Sequence, residues 1–366
     1  MSTPKKTVFY SSKELFIIYL MSKGFNNIGN SCYLNSGLQM LIQNKDFCKK
    51  IYNNRHVSNN LKEMTDFIFE YYDNESKKPI TPRTVKRMVE IKRPMFRGSK
   101  QHDSEEFFIS LIEILNNESI LNTLKLQNKF LTSKTNDITF EKSIKSIFDD
   151  YEKNKITIEK LLMTVDKIQK DFISNNEITT CLPDINDTGL KKIFEFEIRK
   201  ELQCYQPECL HERYVSNKEI ILTLPINDDS KTLDDCYNEF KITEILKDDE
   251  MVHCDKCNKK QITSNKLRIK VWPSHLIICL NRYKNFKRML SKINNDISIP
   301  FEWKHNYKIK GAVIHMGNVG GGHYIYIGRN IEKDNWTVYD DTNTSEISNS
   351  KATLYLNKAY ILYFVQ

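Results

Sequence analysis

The chain has no run of about twenty apolar residues, so no membrane-spanning helix and no membrane partner are expected. Its one signal-like stretch, Leu15 to Met21, is short, follows Glu14 and lacks a small-residue cleavage site. It therefore reads as a structural element rather than a secretion signal. Nine cysteines, an odd number in 366 residues, argue against a disulfide framework. A reducing location, cytoplasmic or nuclear, is expected. A net charge of +8 comes without any long block of like charge, so nucleic acid is not the expected partner. The densest basic cluster, Lys284 to Lys292 with Lys287 and Arg288, reads as a solvated loop. No internal repeat is present, which excludes a solenoid. What remains is 40% hydrophobic and 28% charged, ordinary for a globular chain long enough to hold two or three sub-domains.

The stretch that organises the rest is Gly24-Phe25-Asn26-Asn27-Ile28-Gly29-Asn30-Ser31-Cys32-Tyr33-Leu34-Asn35-Ser36. A polar, glycine-bearing turn delivers one cysteine to the start of an amphipathic helix, since Leu34, Leu38, Leu41 and Ile42 recur at helical spacing. Free N–H groups and the positive end of the helix dipole favour a thiolate there. Asn27 and Ser31, with the N–H groups of the turn, can offer donors to an oxyanion beside the sulfur. Cys32 is equally readable as a buried structural cysteine, and the choice needs partners.

Helices dominate the first half. Leu61 to Tyr72 is helical in pattern, and Phe107, Phe108, Leu111, Ile112 and Leu115 share one face of a later helix, with Ser99 a candidate N-cap. Residues 117–190 are polar yet keep a 3.6-residue period at Ile158, Leu161, Leu162, Val165, Ile168 and Phe172, so they are more than linker. From Phe194 the pattern becomes strands: Glu219–Leu224, Lys266–Trp272, Leu276–Leu280, Gly311–His315, His323–Ile327, Trp336–Tyr339 and Ala359–Val365. Helices first and strands later predict an α+β protein.

Two further constellations carry chemistry. Gly320-Gly321-Gly322-His323 places a histidine at a strand start after a glycine turn, from which it can reach outward as a general base. If the next strand pairs with this one, Asp340 comes near His323 and can hold the far ring nitrogen. Cys32, His323 and Asp340 then form a nucleophile, base and orienter. Separately, Cys204-x4-Cys209 and Cys254-x2-Cys257 suit a four-thiolate structural zinc site, with His211 and His253 near enough to replace a ligand. Cys48, Cys181, Cys236 and Cys279 are assigned to structure. No organic cofactor is indicated.

Together these residues resemble the ubiquitin-specific proteases, the papain-like cysteine deubiquitinases. Asn27 to Ser36 with Leu38-Gln39 looks like the family's cysteine box, and Gln101-His102-Asp103-Ser104-Glu105-Glu106-Phe107 like its glutamine–aspartate–glutamate helix start. Leu280-Asn281-Arg282-Tyr283, Lys292-Ile293 and Ile299-Pro300 are similar to its palm segment. Gly321-Gly322-His323-Tyr324 with Trp336 to Asp341 looks like its histidine box, and Ala359 to Tyr363 matches its closing strand. The resemblance implies a helical thumb with a helical insertion (22–193), zinc-ribbon fingers (194–270) and a mainly antiparallel palm (271–366), after a leader at 1–21. No appended targeting domain is expected.

The resemblance also implies residue roles. Asn27 would serve the oxyanion, and Asp341 would assist or replace Asp340. Gln101, Asp103, Glu106, Gly321, Gly322 and Tyr324 would contact the ubiquitin tail, with Asp103 and Glu106 meeting its arginines. The x4 spacing of the first cysteine pair departs from the family's usual x2. The expected function is hydrolysis of the bond after ubiquitin's last glycine by a monomer. The rivals are a ubiquitin-binding scaffold of the same fold, a protease for a related modifier, and a nucleic-acid-binding zinc-ribbon protein.

Overall fold

The computed structural model describes residues 23–73, 76–135, 137–153, 155–178, 182, 189–286 and 289–366, without the side chains of 285, 286, 289 and 290. The leader at 1–21, Cys181, Lys287 and Arg288 lie outside the described residues. The chain forms two compact units. One holds the described residues up to Lys49, together with 66–109 and 193–366. The other holds 50–65 and 110–192.

The helical half comprises α1 (Cys32–Ile42), α2 (Lys45–Asn53), α3 (Asn59–Tyr72), α4 (Arg83–Lys92), α5 (Ser104–Thr135), α6 (Ile138–Glu152) and α7 (Ile158–Asn175). All eleven residues of α1 are buried. Its apolar positions Leu34, Leu38, Leu41 and Ile42 each stabilise the fold by about 1.5–3 kcal/mol. Its polar positions need partners: Gln39 Nε2 donates to the Lys23 carbonyl at 2.8 Å, and Gln39 Oε1 accepts from Tyr71 Oη at 3.0 Å. The α5 cap differs from expectation. The helix begins at Ser104, and Asp103 Oδ1 accepts from the N–H groups of Glu105 (2.7 Å) and Glu106 (3.2 Å). Ser99 lies too far ahead to do this, and a carboxylate also complements the helix dipole.

The unit containing 110–192 has its own core, in which Leu124, Leu131, Phe140, Ile144, Leu161 and Val165 are buried. Phe140 and Phe172 stack with centroids 4.0 Å apart. Asp137 caps α6 and Thr157 caps α7. The helical period read from Ile158 to Phe172 is thus the inner face of α7.

The strand half comprises β1 (Phe196–Cys204), β2 (Glu212–Glu219), β3 (Leu222–Pro225), β4 (Glu244–Leu246), β5 (Val252–Cys254), β6 (Lys259–Gln261), β7 (Thr263–Val271), β8 (His275–Asn281), β9 (Tyr283–Phe286), β10 (Met289–Lys292), β11 (Glu302–Trp303), β12 (Tyr307–Asn318), β13 (Gly321–Asn330), β14 (Asn335–Asp340), β15 (Asn343–Ile347) and β16 (Ala359–Val365). A large sheet runs β15-β14-β13-β12-β16-β8-β3, with β11 beside β12. Only its β3–β8 pairing is parallel among the described pairs. A four-stranded sheet runs β2-β1-β7-β4.

The strand expected over Glu219–Leu224 is divided. Glu219 ends β2 in the smaller sheet and Leu222 starts β3 in the larger, so the chain changes sheets at Ile220 and Ile221. Within the basic stretch 284–292, expected as a loop, the described residues belong to β9 and β10, which pair antiparallel. Among the described residues no helix is long and apolar enough to cross a membrane.

Burial draws the Lys310 ammonium down to about 8 from the ordinary 10.5, and its Nζ donates to the Arg329 carbonyl at 2.9 Å. Between those two values the unfolded chain holds this proton more firmly than the folded one. The contribution of Lys310 is therefore unfavourable below the lower value and is relieved as pH rises towards the upper. Lys310→Met is expected to raise stability at neutral pH and to gain little near pH ~10, read by denaturant unfolding. An equal gain at both pH values would contradict the assignment.

Candidate active site

The turn before α1 is shaped around Asn27. Gly29 (φ 103°) and Asn30 (φ 47°) take left-handed backbone. Asn27 Oδ1 accepts from the N–H groups of Gly29 (3.1 Å) and Ser31 (3.2 Å). Cys32 follows as the first helical residue and is 2% exposed. That burial pushes its thiol up; the backbone N–H of Tyr324 offsets part of this, and the negative charge of Asp341 adds a smaller upward push. The thiolate expected from the helix dipole gives way to a thiol, because desolvation penalises the charged form more than the helix end favours it.

Cys32 opens α1, which packs against β13, the strand that carries His323 and Tyr324. β13 and β14 pair antiparallel from Tyr326↔Tyr339 to Asn330↔Asn335. Beyond the Tyr326↔Tyr339 pair, His323 Nε2 and Asp340 Oδ1 lie 2.6 Å apart. Asp341 then turns the chain into β15 with φ 50°. Its carboxylate serves two amides: Oδ2 accepts from Asn27 Nδ2 at 2.8 Å, and Oδ1 accepts from Asn35 Nδ2 at 2.6 Å. The structure brings together Asn27, Cys32, His323, Asp340 and Asp341. It adds Asn35, one helical turn beyond the cysteine, which sequence reasoning quoted without a role. A polar residue among the apolar positions of a helix that also carries Ser36 and Gln39 was the available signal.

Of the six residues expected at the ubiquitin tail, Gly321, Gly322 and Tyr324 lie on the β12–β13 hairpin and Gln101 and Asp103 bond to it, whereas Glu106 stays on α5. Gln101 makes two backbone bonds to Gly322: Nε2 donates to its carbonyl at 2.6 Å, and Oε1 accepts from its N–H at 2.9 Å. A side chain on Gly322 would meet the Met316 carbonyl and His315 Nε2, and one on Gly321 would press on Gln101 Oε1. Besides capping α5, Asp103 accepts at Oδ2 from the hydroxyls of Tyr324 (3.2 Å) and Tyr360 (3.0 Å). Glu106 is exposed, and partial burial with the Asp103 charge raises its carboxyl. Sequence reasoning missed Glu105, whose burial raises its carboxyl; it accepts from the Cys279 thiol and from Tyr360.

The second cluster lies away from this hairpin in sequence, on β1, β5 and their turns. Sγ atoms of Cys204, Cys209, Cys254 and Cys257 all lie within 4.8 Å of one another. Cys204 and Cys257 are 3.9 Å apart and Cys209 and Cys254 3.6 Å. Four sulfurs at ~2.3 Å from one zinc ion stand ~3.8 Å apart in a tetrahedron, so the set fits zinc. His211 and His253 are not part of this group, and His253 instead sits 3.5 Å from Asp255.

By fold the chain groups with solved deubiquitinase modules. It matches the SAGA DUB module of Ubp8, Sgf11, Sus1 and Sgf73 bound to monoubiquitin with a TM-score of 0.65 at 20% identity, covering 94% of this chain and 68% of that one. The family profile described as ubiquitin carboxyl-terminal hydrolase matches residues 23–364, and the chain belongs to that family. Ubiquitin carboxyl-terminal hydrolase 4 of Vanderwaltozyma polyspora is 26% identical over 93% of this chain and 40% of its own length. Ubiquitin carboxyl-terminal hydrolase 5 of Saccharomyces cerevisiae is 24% identical over 100% of this chain and 47% of its own. The chain thus spans less than half the length of these two relatives.

Asp341→Asn removes a charge that raises the Cys32 thiol. The midpoint of Cys32 alkylation by iodoacetamide is expected to move to lower pH, followed by mass spectrometry of the peptide. A midpoint that stays put would mean that the Asp341 charge does not reach the sulfur.

Proposed function

We propose that this chain is a thiol-dependent deubiquitinase that hydrolyses the bond after ubiquitin's terminal glycine. The observation that carries the reading is a buried cysteine opening α1, which packs against β13, the strand whose His323 has its far nitrogen 2.6 Å from Asp340. Cys32 arrives as a thiol. His323 Nδ1 takes its proton as the sulfur attacks the glycine carbonyl, and Asp340 steadies the imidazolium through Nε2. The oxyanion accepts from the remaining Asn27 Nδ2 proton and from backbone N–H groups at the start of α1. The imidazolium then protonates the departing lysine amine, and the sulfur keeps the acyl group as a thioester. Water, deprotonated by His323, clears that thioester and frees the ubiquitin carboxylate.

Asp341 acts in this scheme by holding the Asn27 amide. Asp103, Glu106 and the Gly321-Gly322 backbone would receive the tail, with Gln101 releasing Gly322 as the tail enters. The thumb, fingers and palm take residues 22–193, 194–270 and 271–366. Zinc on Cys204, Cys209, Cys254 and Cys257 would be structural, since four thiolates leave no open position. Ubiquitin and its conjugates are the proposed partners, in the cytoplasm or nucleus, with the chain acting as a monomer.

A ubiquitin bearing a fluorogenic C-terminal amide tests the reaction. Release abolished by Cys32→Ala is expected, with Asn27→Ala lowering kcat by about 10²–10³-fold. Ubiquitin bound without release would favour the scaffold reading, and preferential release from a related modifier would move the substrate. The metal is tested separately. Purified protein should carry about one zinc per chain, and Cys254→Ser should lose it together with thermal stability. Full stability without metal would remove zinc from the account.

A further inference from the structure

The hairpin that delivers His323 is fastened from outside by an ammonium ion. Lys292, the last residue of β10, donates from Nζ to the His315 carbonyl at 2.7 Å and to the Gly317 carbonyl at 2.9 Å. The same Nζ is 3.2 Å from His315 Nδ1, which Tyr283 Oη also approaches at 3.0 Å. The two carbonyls flank Met316, and Met316 is the register partner of His323.

Their direction explains why a side chain is needed. The Met316 carbonyl faces Gly322 across the hairpin, as the space around Gly322 shows. Carbonyls alternate along a strand, so those of His315 and Gly317 face away from β13. On that side β16 pairs with β12 only as far as Ile314. Past that point no strand among the described residues supplies N–H donors to this side, and the carbonyl of buried His315 must find one elsewhere, while that of exposed Gly317 shares the same donor. Lys292 provides them where the ladder stops.

The hold passes directly to the catalytic segment. The His315 ring stacks on Tyr324 with centroids 4.4 Å apart, and its Nε2 lies where a Gly322 side chain would be. Burial draws His315 down to about 4, so beside Lys292 the ring is a neutral acceptor. Gln101, in the loop before α5, holds Gly322 on the opposite strand. The glycine turn is pinned at both ends, by Lys292 on the outgoing strand and Gln101 on the returning one.

We propose that Lys292 is a positioning residue for His323, fixing the carbonyls on either side of its cross-strand partner and so the approach of the imidazole to Cys32. This rests on the reading of His323 as general base. Lys292 touches none of the reacting atoms and acts through the backbone of residues 315–317.

The test compares wild type with Lys292→Met, which keeps the stem and removes the donors, and with Lys292→Arg, which keeps the cation. With the fluorogenic ubiquitin amide, K292M should lose about 10–100-fold in kcat, the scale on which misplacement of a catalytic group acts. KM should stay within about twofold, and K292R should recover most of the loss. Amide hydrogen exchange over residues 315–324 should speed up in K292M. Unchanged kcat, or a rise in KM alone, would overturn the proposal, as would unchanged exchange at His323. If the wild type itself releases nothing, the deubiquitinase reading fails and exchange alone decides the clamp. Should K292M not fold, Lys292→Gln, with two neutral donors, is read by the same kcat, KM and exchange criteria.

Discussion

Asp341 turns the chain in a left-handed conformation while its carboxylate binds two amides, and the arrangement of the cleft depends on that one residue. Its oxygens hold Asn27, in the turn before the nucleophile helix, and Asn35, within that helix. Its own carbonyl accepts from the Phe25 N–H at 2.7 Å. Gly24 lies so close to the Asp341 and Thr342 carbonyls that no side chain fits there. Sequence positions more than 300 residues apart are thereby locked in register. Asp340, one residue earlier, carries the same alignment to His323. Charge-assisted bonds of this kind are short and strong, and losing one partner inside a half-buried site leaves a carboxylate or amide without compensation.

Around this tie the electrostatics favour neutral groups. Cys32 is held as a thiol, and burial draws His315 far down. The hydroxyls of Tyr324 and Tyr360 donate into the Asp103–Glu105 pair. Two carboxylates so close to a buried cysteine would otherwise repel one another and any incoming carboxylate. Tyrosine donors disperse that charge without adding a cation. Proton transfer from Cys32 to His323 would therefore create a thiolate and an imidazolium where both groups start neutral. Asp340 supplies the compensation at the far side of the ring.

Much of this was legible in the chain. The apolar spacing after Cys32, the glycines before His323 and the strand ending at Asp340 foretold the helix, the turn and the hairpin. Those signals are local, and each is enforced by backbone geometry. The two cysteine pairs read as one cluster because four sulfurs have few other reasons to gather. What escaped were features decided by tertiary contact. Asp103 rather than Ser99 caps α5 because the chain between them runs on before turning helical. The strand at 219–224 splits because its two halves join different sheets, which no periodicity records. The basic run at 284–292 reads as solvated by composition, yet Lys292 turns its ammonium onto main-chain carbonyls. Desolvation of Cys32 outweighs the helix dipole, and burial is not visible in a local pattern.

The stretch from Ser110 to Lys192 buries Phe140, Phe172 and their neighbours among themselves. The side chains of that core take no part in pairing β13 with β14. Substitutions there are filtered first by whether that small core still packs. Such a segment can change sequence quickly, or exchange its outward residues wholesale, while the strand registers around His323 are preserved. It is the part of the chain where descendants of one ancestor can diverge in surface without disturbing the chemistry proposed for the rest.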